Sequence, residues 1–284
     1  MNANEACPTP QVARLTIDTQ GGQPVVSKEE YLAATMTVTP TVGAEVTLPL
    51  RIRGRGNSTW YAEKKPYLLN LDKKAEILGM PTNKKWVLLA SYYDRSLLRN
   101  AVVFCAARLL KMPYTPHDRF IELTMNGEYM GVYQITDKNY EIRNLVEDQV
   151  KGYIAGAEFD DPFLIEVNDR RDGDFNILTQ SQVPYSFESD SSTAQAERVK
   201  AWLDTLEEIL LQVPAGPQRL AQVEQRMDLQ SLADLYLVNE MVGNVDAFFS
   251  STFLYRQRGG LLSYGPVWDF DLAINNAFEG PQLP

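Results

Sequence analysis

The dipeptide Asn126-Gly127 constrains this chain most, because it sits between two β-rich runs within Phe120 to Thr136. Asn and Gly accept a positive φ at little cost, so the pair reads as the tight turn of a β-hairpin. The hairpin has companions upstream. Leu15 to Asp18, Met36 to Val38, Val46 to Ile52, Tyr67 to Leu71 and Trp86 to Ala90 also read as strands. Between them and the hairpin, Asp94 to Lys111 reads as a helix: Leu97, Ala101, Cys105 and Leu109 recur every four residues, Asp94 stands at the N-cap and Pro113 lies just past the end.

Downstream the pattern changes. Lys138 to Asp190 is polar and uneven, with Asp160-Asp161, Arg170-Arg171 and Asp172-Gly173-Asp174 inside it, and reads as short strands joined by loops. Ala194 to Val213 is an amphipathic helix stopped by Pro214, and Asp228 to Val242 is a second, with Asp228 as N-cap and Gly243 beyond its end. Phe253 to Arg256 and Leu261 to Tyr264 form a candidate hairpin around Gly259-Gly260. The expected organisation is a polar leader over 1–13, a β-rich region with one helix over 14–136 and a second, mainly helical region over 137–284.

At 284 residues with 44% hydrophobic content the chain can bury a substantial core. Its net charge of −10 argues against general nucleic-acid binding, which takes a basic face. Locally, Arg51, Arg53, Arg55, Lys64 and Lys65 form a basic cluster, either the seat of one polyphosphate or a solvated strand edge. No run approaches the roughly 18 apolar residues that span a bilayer, and Met1 to Pro10 lacks the apolar centre of a signal peptide. Cys105 reads as a buried thiol and Cys7 as part of the leader, with neither a disulfide framework nor a zinc site expected. The single histidine, His117, weighs against a Ser-His-Asp triad or a multi-histidine metal site.

Chemistry concentrates at Asn244-Val245-Asp246 and Pro266-Val267-Trp268-Asp269-Phe270-Asp271. A buried carboxylate is costly unless paired, protonated or metal-bound, and Trp268 and Phe270 alternate with Asp269 and Asp271 as on a strand with one apolar face. Alternatively, Asp269 accepts a hydrogen bond from a loop and Asp271 caps a following helix. Gly54-Arg55-Gly56-Asn57-Ser58-Thr59 offers backbone N–H groups and hydroxyls to phosphate, or simply ends a strand. It fits neither the Walker pattern nor the dinucleotide fingerprint.

Six segments occur in a telling order: Arg53-Gly54-Arg55-Gly56-Asn57-Ser58-Thr59-Trp60, Lys64-Lys65-Pro66-Tyr67, Asp94-Arg95-Ser96-Leu97-Leu98-Arg99-Asn100, Asn126-Gly127-Glu128-Tyr129-Met130-Gly131-Val132-Tyr133, Asp246, and Trp268-Asp269-Phe270-Asp271. In them the chain resembles the spore coat protein H (CotH) kinase family from about Leu15 to Ala277. The resemblance implies an α+β, reduced and bilobal protein-kinase-like fold, with a β-rich N-terminal lobe and a mainly helical C-terminal lobe. It also implies transfer of phosphate from ATP to protein Ser or Thr with Mg²⁺, or Mn²⁺ or Ca²⁺. The expected partner is a protein with Ser/Thr-rich, basic segments, not nucleic acid and not a membrane span, and the expected location is secreted, cell-surface or periplasmic. Family members continue with further helical sequence, so the second lobe is expected to be incomplete.

By the same resemblance Asp246 acts on the attacking hydroxyl and Asp269 is the principal metal ligand, with Asp271, Ser251 and Asn244 as further ligands. Lys65 neutralises phosphate together with Arg55, Asn57, Ser58 and Lys64. Lys65 is preferred to Lys64 because alternation through Tyr67 and Leu69 puts Lys65 on the inner face. Asp246 and Asp269 lie 23 residues apart, room for one hairpin. The chain departs from kinases at Ser251, where the catalytic loop has Asn, and at Asp271, which replaces Gly. It departs from the family at Thr136-Asp137, usually Thr-Glu. Arg99 reads either as a phosphate or carboxylate partner or as a salt-bridge residue. Two rival readings stand beside the kinase: a non-catalytic surface or nucleotide-binding module, and nucleotidyl transfer with ATP bound inverted.

Overall fold

A computed structural model of the chain describes Cys7 and residues 12–151, 153, 155–156, 159–171 and 173–276. It divides into two compact units, one of Met1–Cys105, Pro116–Tyr140 and Phe270–Pro284, the other of Ala106–Thr115 and Glu141–Asp269.

The first unit is a closed barrel. Its strands are β1 (Ala13–Thr19), β2 (Leu32–Thr39), β3 (Val46–Gly54), β4 (Tyr67–Ile77), β5 (Met80–Leu89), β6 (Asp118–Met125) and β7 (Glu128–Thr136), in the spatial order β1-β2-β3-β4-β5-β7-β6. Every pairing is antiparallel except the closure, where β1 runs parallel to β6 with Ala13 opposite Ile121. Period-two alternation sends Leu15, Ile17, Met36, Ile52, Leu69, Trp86, Ile121 and Leu123 into one core. The Asn126-Gly127 turn carries φ values of 51° and 82°, and its Asn also ties down β1. Asn126 Oδ1 accepts from Thr19 N at 2.9 Å and from Thr19 Oγ1 at 3.0 Å.

Helix α1 spans Arg99–Leu109, shorter than the expected Asp94 to Lys111. Asp94 does cap, from a distance: its carboxylate accepts from Ser96 N and from Arg99 N, each at 3.0 Å. The intervening turn contains Leu97 at φ 60°, which no helix accommodates. The cysteines require a second correction. Cys7 and Cys105 form a disulfide across 98 residues, and Cys105 is only partly buried.

Beside its helices the second unit holds a five-stranded sheet in the order β12-β11-β8-β10-β9. The strands are β8 (Phe163–Val167), β9 (Asn176–Leu178), β10 (Pro184–Phe187), β11 (Thr252–Arg256) and β12 (Ser263–Tyr264). Four further helices are α2 (Tyr140–Val150), α3 (Thr193–Gln212), α4 (Pro217–Glu224) and α5 (Leu229–Val242). Helix α2 falls where only strands and loops are expected, and its buried Ile142 and Val146 are four residues apart. In α3, Val199, Leu203 and Leu206 pack with Phe163, Ile165 and Leu254 of the sheet. Two caps follow the sequence, Asp228 Oδ1 accepting from Gln230 N at 3.1 Å and Gly243 ending α5 in the left-handed region, and Ser192 Oγ adds a third by accepting from Gln195 N at 3.2 Å. Among the described residues no helix is long and apolar enough to cross a membrane.

Candidate functional site

Strand register assembles an acidic site at one end of the second sheet. Strands β8 and β11 are antiparallel with Val167 opposite Thr252, and β11 and β12 are antiparallel with Leu254 opposite Tyr264. The segment entering β11, the loop leaving β8 and the chain leaving β12 therefore emerge at the same end. The first carries Asp246 and Ser251, the last Asp269. Ser251 Oγ donates to Asp269 Oδ2 at 3.2 Å.

Asp246 is set by helix α5. Its N-terminus is pinned where Ser231 Oγ donates to Asp228 O and accepts from Tyr264 N at 2.9 Å. At its other end the buried Asn239 donates to Leu235 O and accepts from Asn244 Nδ2 at 2.8 Å. Asn244 Oδ1 in turn accepts the Asp246 N–H at 3.3 Å. The geometry of Asn244 is thus that of a positioning residue, with Asn239 behind it. Phe248 and Ser251 have φ of 62° and 51°, each costing about 1–3 kcal/mol.

Both carboxylates are half-buried. Burial, and then the neighbouring charge of Asp269, push the Asp246 carboxyl above the usual carboxylate range, while Arg170 pulls it down. Among the described residues no hydrogen bond or ion pair reaches the Asp246 side chain. Two such carboxylates repel, and a divalent cation would relieve that repulsion. Among the described residues no group of three or more His, Cys, Asp or Glu is placed to hold a metal. Mg²⁺ does not demand one, because it is held by one or two carboxylates with substrate phosphates and water. Asp269 and the Ser251 hydroxyl, with Asp246 beside them, fit that pattern.

The Trp268-Asp269-Phe270 segment is not the expected strand. It runs in irregular backbone with Asp269 at φ 67° and Val267, Trp268 and Phe270 all buried. Asp271 belongs to the barrel unit and lies in turns rather than at the start of a helix. In that unit the segment is held by the helix α1 motif. Asn100 Oδ1 accepts from Phe270 N at 2.8 Å, and Arg99 Nε donates to Ala273 O at 2.8 Å while its guanidinium also pairs with Asp94. Asn276 Nδ2 donates to Tyr93 O at 2.7 Å.

The basic set also lies in the barrel unit. Gly54 and Gly56 are required sterically, since a Cβ on either would come within 2.2 Å of Trp60 or Thr59. Asn57 and Ser58 are exposed at the start of a 3₁₀ turn over Ser58–Tyr61, and Arg55 N donates to Pro66 O. Both lysines precede β4, which begins at Tyr67, so strand alternation does not extend to them. Lys64 Nζ donates to Ala90 O and Val132 O and lies 4.4 Å from the Tyr133 ring centroid, and burial pulls its pKa down. Lys65 Nζ donates to Trp60 O at 2.8 Å and Ala62 O at 3.1 Å. Asp137 is engaged by His117, through its N–H and its Nδ1, each at 2.9 Å.

The chain is an α+β protein whose second sheet carries a paired-carboxylate end. The family model described as CotH kinase protein matches residues 51–280, and the chain belongs to that family. No curated protein matches the chain. Family membership places its activity in the class of kinase-like phosphotransferases, which in general use ATP and a divalent metal.

Proposed function

We propose that this protein is an ATP- and divalent-metal-dependent kinase that phosphorylates Ser or Thr hydroxyls of a protein substrate, with reduced kinase-like lobes. The observation that carries the reading is the half-buried Asp246–Asp269 pair beside Ser251 at the sheet end. Asp246 orients the acceptor hydroxyl and takes its proton as the oxygen attacks the terminal phosphorus, whose bond to the bridging oxygen breaks to release ADP. Asp269, supported by the Ser251 hydroxyl, is the principal metal ligand; Asn244 holds the loop, and Asp271 is a further ligand by resemblance. Mg²⁺ held by Asp269 would supply charge neutralisation to the phosphates. Lys65, with Lys64, Arg55 and the backbone at Asn57 and Ser58, is assigned to phosphate by resemblance. Because phosphoryl transfer rests on positioning and electrostatics, carboxylates, lysine and metal suffice. The Cys7–Cys105 disulfide supports an oxidising location, secreted or at a cell surface.

A second reading, a non-catalytic nucleotide-binding module, is favoured by two contacts. Lys64 is engaged by main-chain carbonyls, and Asp137, at the position where the family has Glu, is engaged by His117. Intact mass after incubation with ATP, Mg²⁺ or Mn²⁺ and a basic Ser-rich peptide separates the readings. A phosphoryl gain supports the kinase, an AMP gain nucleotidyl transfer, and no gain with measurable ATP binding the module. Asp246→Asn should abolish transfer while ATP binding persists, because a group acting on the hydroxyl contributes in the transition state. Undiminished transfer by that variant overturns the mechanism.

A further inference from the structure

Arg170 lies on the third chain segment at the acidic sheet end, the loop leaving β8. Val167, the last residue of β8, pairs with Thr252, the residue after Ser251. The loop is ordered by its own turn: Asn168 N donates to Pro184 O at 3.0 Å, Asn168 Oδ1 accepts from Arg170 N at 3.1 Å, and Arg171 N donates to Asn168 O at 3.2 Å. Arg170 is exposed, and among the described residues its guanidinium makes no ion pair or hydrogen bond. Its charge nevertheless acts on the Asp246 carboxylate. A protein that needed this cation only to balance Asp246 would be expected to close the pair.

We infer that Arg170 binds the terminal phosphate of the nucleotide beside Asp246, resting on the kinase reading above. A guanidinium presents a planar fork of N–H donors that matches two phosphate oxygens, and it stays charged next to carboxylates that would otherwise repel a triphosphate. The position also suits the reaction. The phosphoryl group gathers charge on its equatorial oxygens as it leaves ADP, and Arg170 is the cation that acts on the acceptor carboxylate from this sheet end.

The test is equilibrium binding of MgATP and MgADP to wild type, Arg170→Ala, Arg170→Lys and, as neighbour control, Arg171→Ala. Arg170→Ala should weaken MgATP about tenfold or more, the loss of a charge-assisted contact, and leave MgADP within about twofold. Arg170→Lys should fall between, keeping charge and losing the fork. Unchanged MgATP affinity, an equal loss for MgADP, or an equal loss in Arg171→Ala overturns the assignment. If wild type binds no ATP, the kinase reading fails and this inference with it; if wild type binds ATP and only the Arg170 variants behave as wild type, this inference fails alone.

Discussion

Asp246 and Asp269 raise the free energy of the ligand-free fold at neutral pH, because burial and mutual repulsion both disfavour the charged form of Asp246. Asp269→Asn should therefore raise the ligand-free melting temperature slightly and remove the stabilisation by MgATP, which at about 100 times Kd amounts to roughly 2.7 kcal/mol in wild type. Calorimetry with and without MgATP checks both signs; a retained shift removes Asp269 from the metal site. The two lysines should separate by readout. Lys64→Ala leaves the Ala90 and Val132 carbonyls without their donor and should cost about 1–3 kcal/mol of stability. Lys65→Ala should cost the larger share of nucleotide affinity, because burial disfavours the charged form of Lys64. Larger loss of affinity in Lys64→Ala would reverse the assignment. Asp94 gives a pH dependence. Burial pushes its carboxyl up, but hydrogen bonds from Ser96 and Arg99 outweigh it and hold the group below the usual range. A depressed folded pKa means that the stabilisation is present above the unfolded value near 3.9 and is lost as pH falls through the folded value. Asp94→Asn should narrow the stability difference between pH 6 and about pH 3, measured by denaturant titration at each pH.

At the scale of elements, the turn between Tyr93 and Asn100 serves as a clamp on the chain after Asp269. Asn100→Ala leaves the buried Phe270 N–H unsatisfied and should cost about 1–3 kcal/mol, read from the urea midpoint; wild-type stability would show that the clamp is dispensable. This clamp also marks where sequence reading stops. Asn126-Gly127, Asp228 and Gly243 are legible because their partners lie within a few residues, and a cap or turn needs nothing else. Asp94 is half legible: its capping chemistry is visible, whereas Leu97 entering the left-handed region, which delays the helix to Arg99, is not. Helix α4 buries only Val223 and starts at Pro217, too little periodicity to register. At the site, Asp246, Asp269 and Ser251 stand out by residue type and order. Asn100 and Arg170 acquire their roles only from strand register or from partners far along the chain. Asn239 differs, since its partners Leu235 and Asn244 lie within five residues.

The whole molecule depends on contacts between distant parts of the chain. The Cys7–Cys105 link restricts the unfolded ensemble over 98 residues, so Cys105→Ser should lower stability by up to about 4–5 kcal/mol. Thermal melts of oxidised and reduced wild type should show the same difference, and coincident melts would argue against the bridge. Nothing in the spacing of two cysteines reveals such a pairing, which the barrel and α1 bring about together. The parallel closure of the barrel has a further consequence, for a chain being made rather than a finished one. Strand β1 cannot find its second neighbour until β6 exists, and Ala13 waits for Ile121. At about 5–20 residues per second, that delay on the ribosome is roughly 5–20 s. Throughout it, strands β1 to β5 form an unclosed meander with two unpaired rims open to other nascent chains. Birth order therefore sets the interval in which this protein is most exposed to misassembly, however stable the closed barrel becomes.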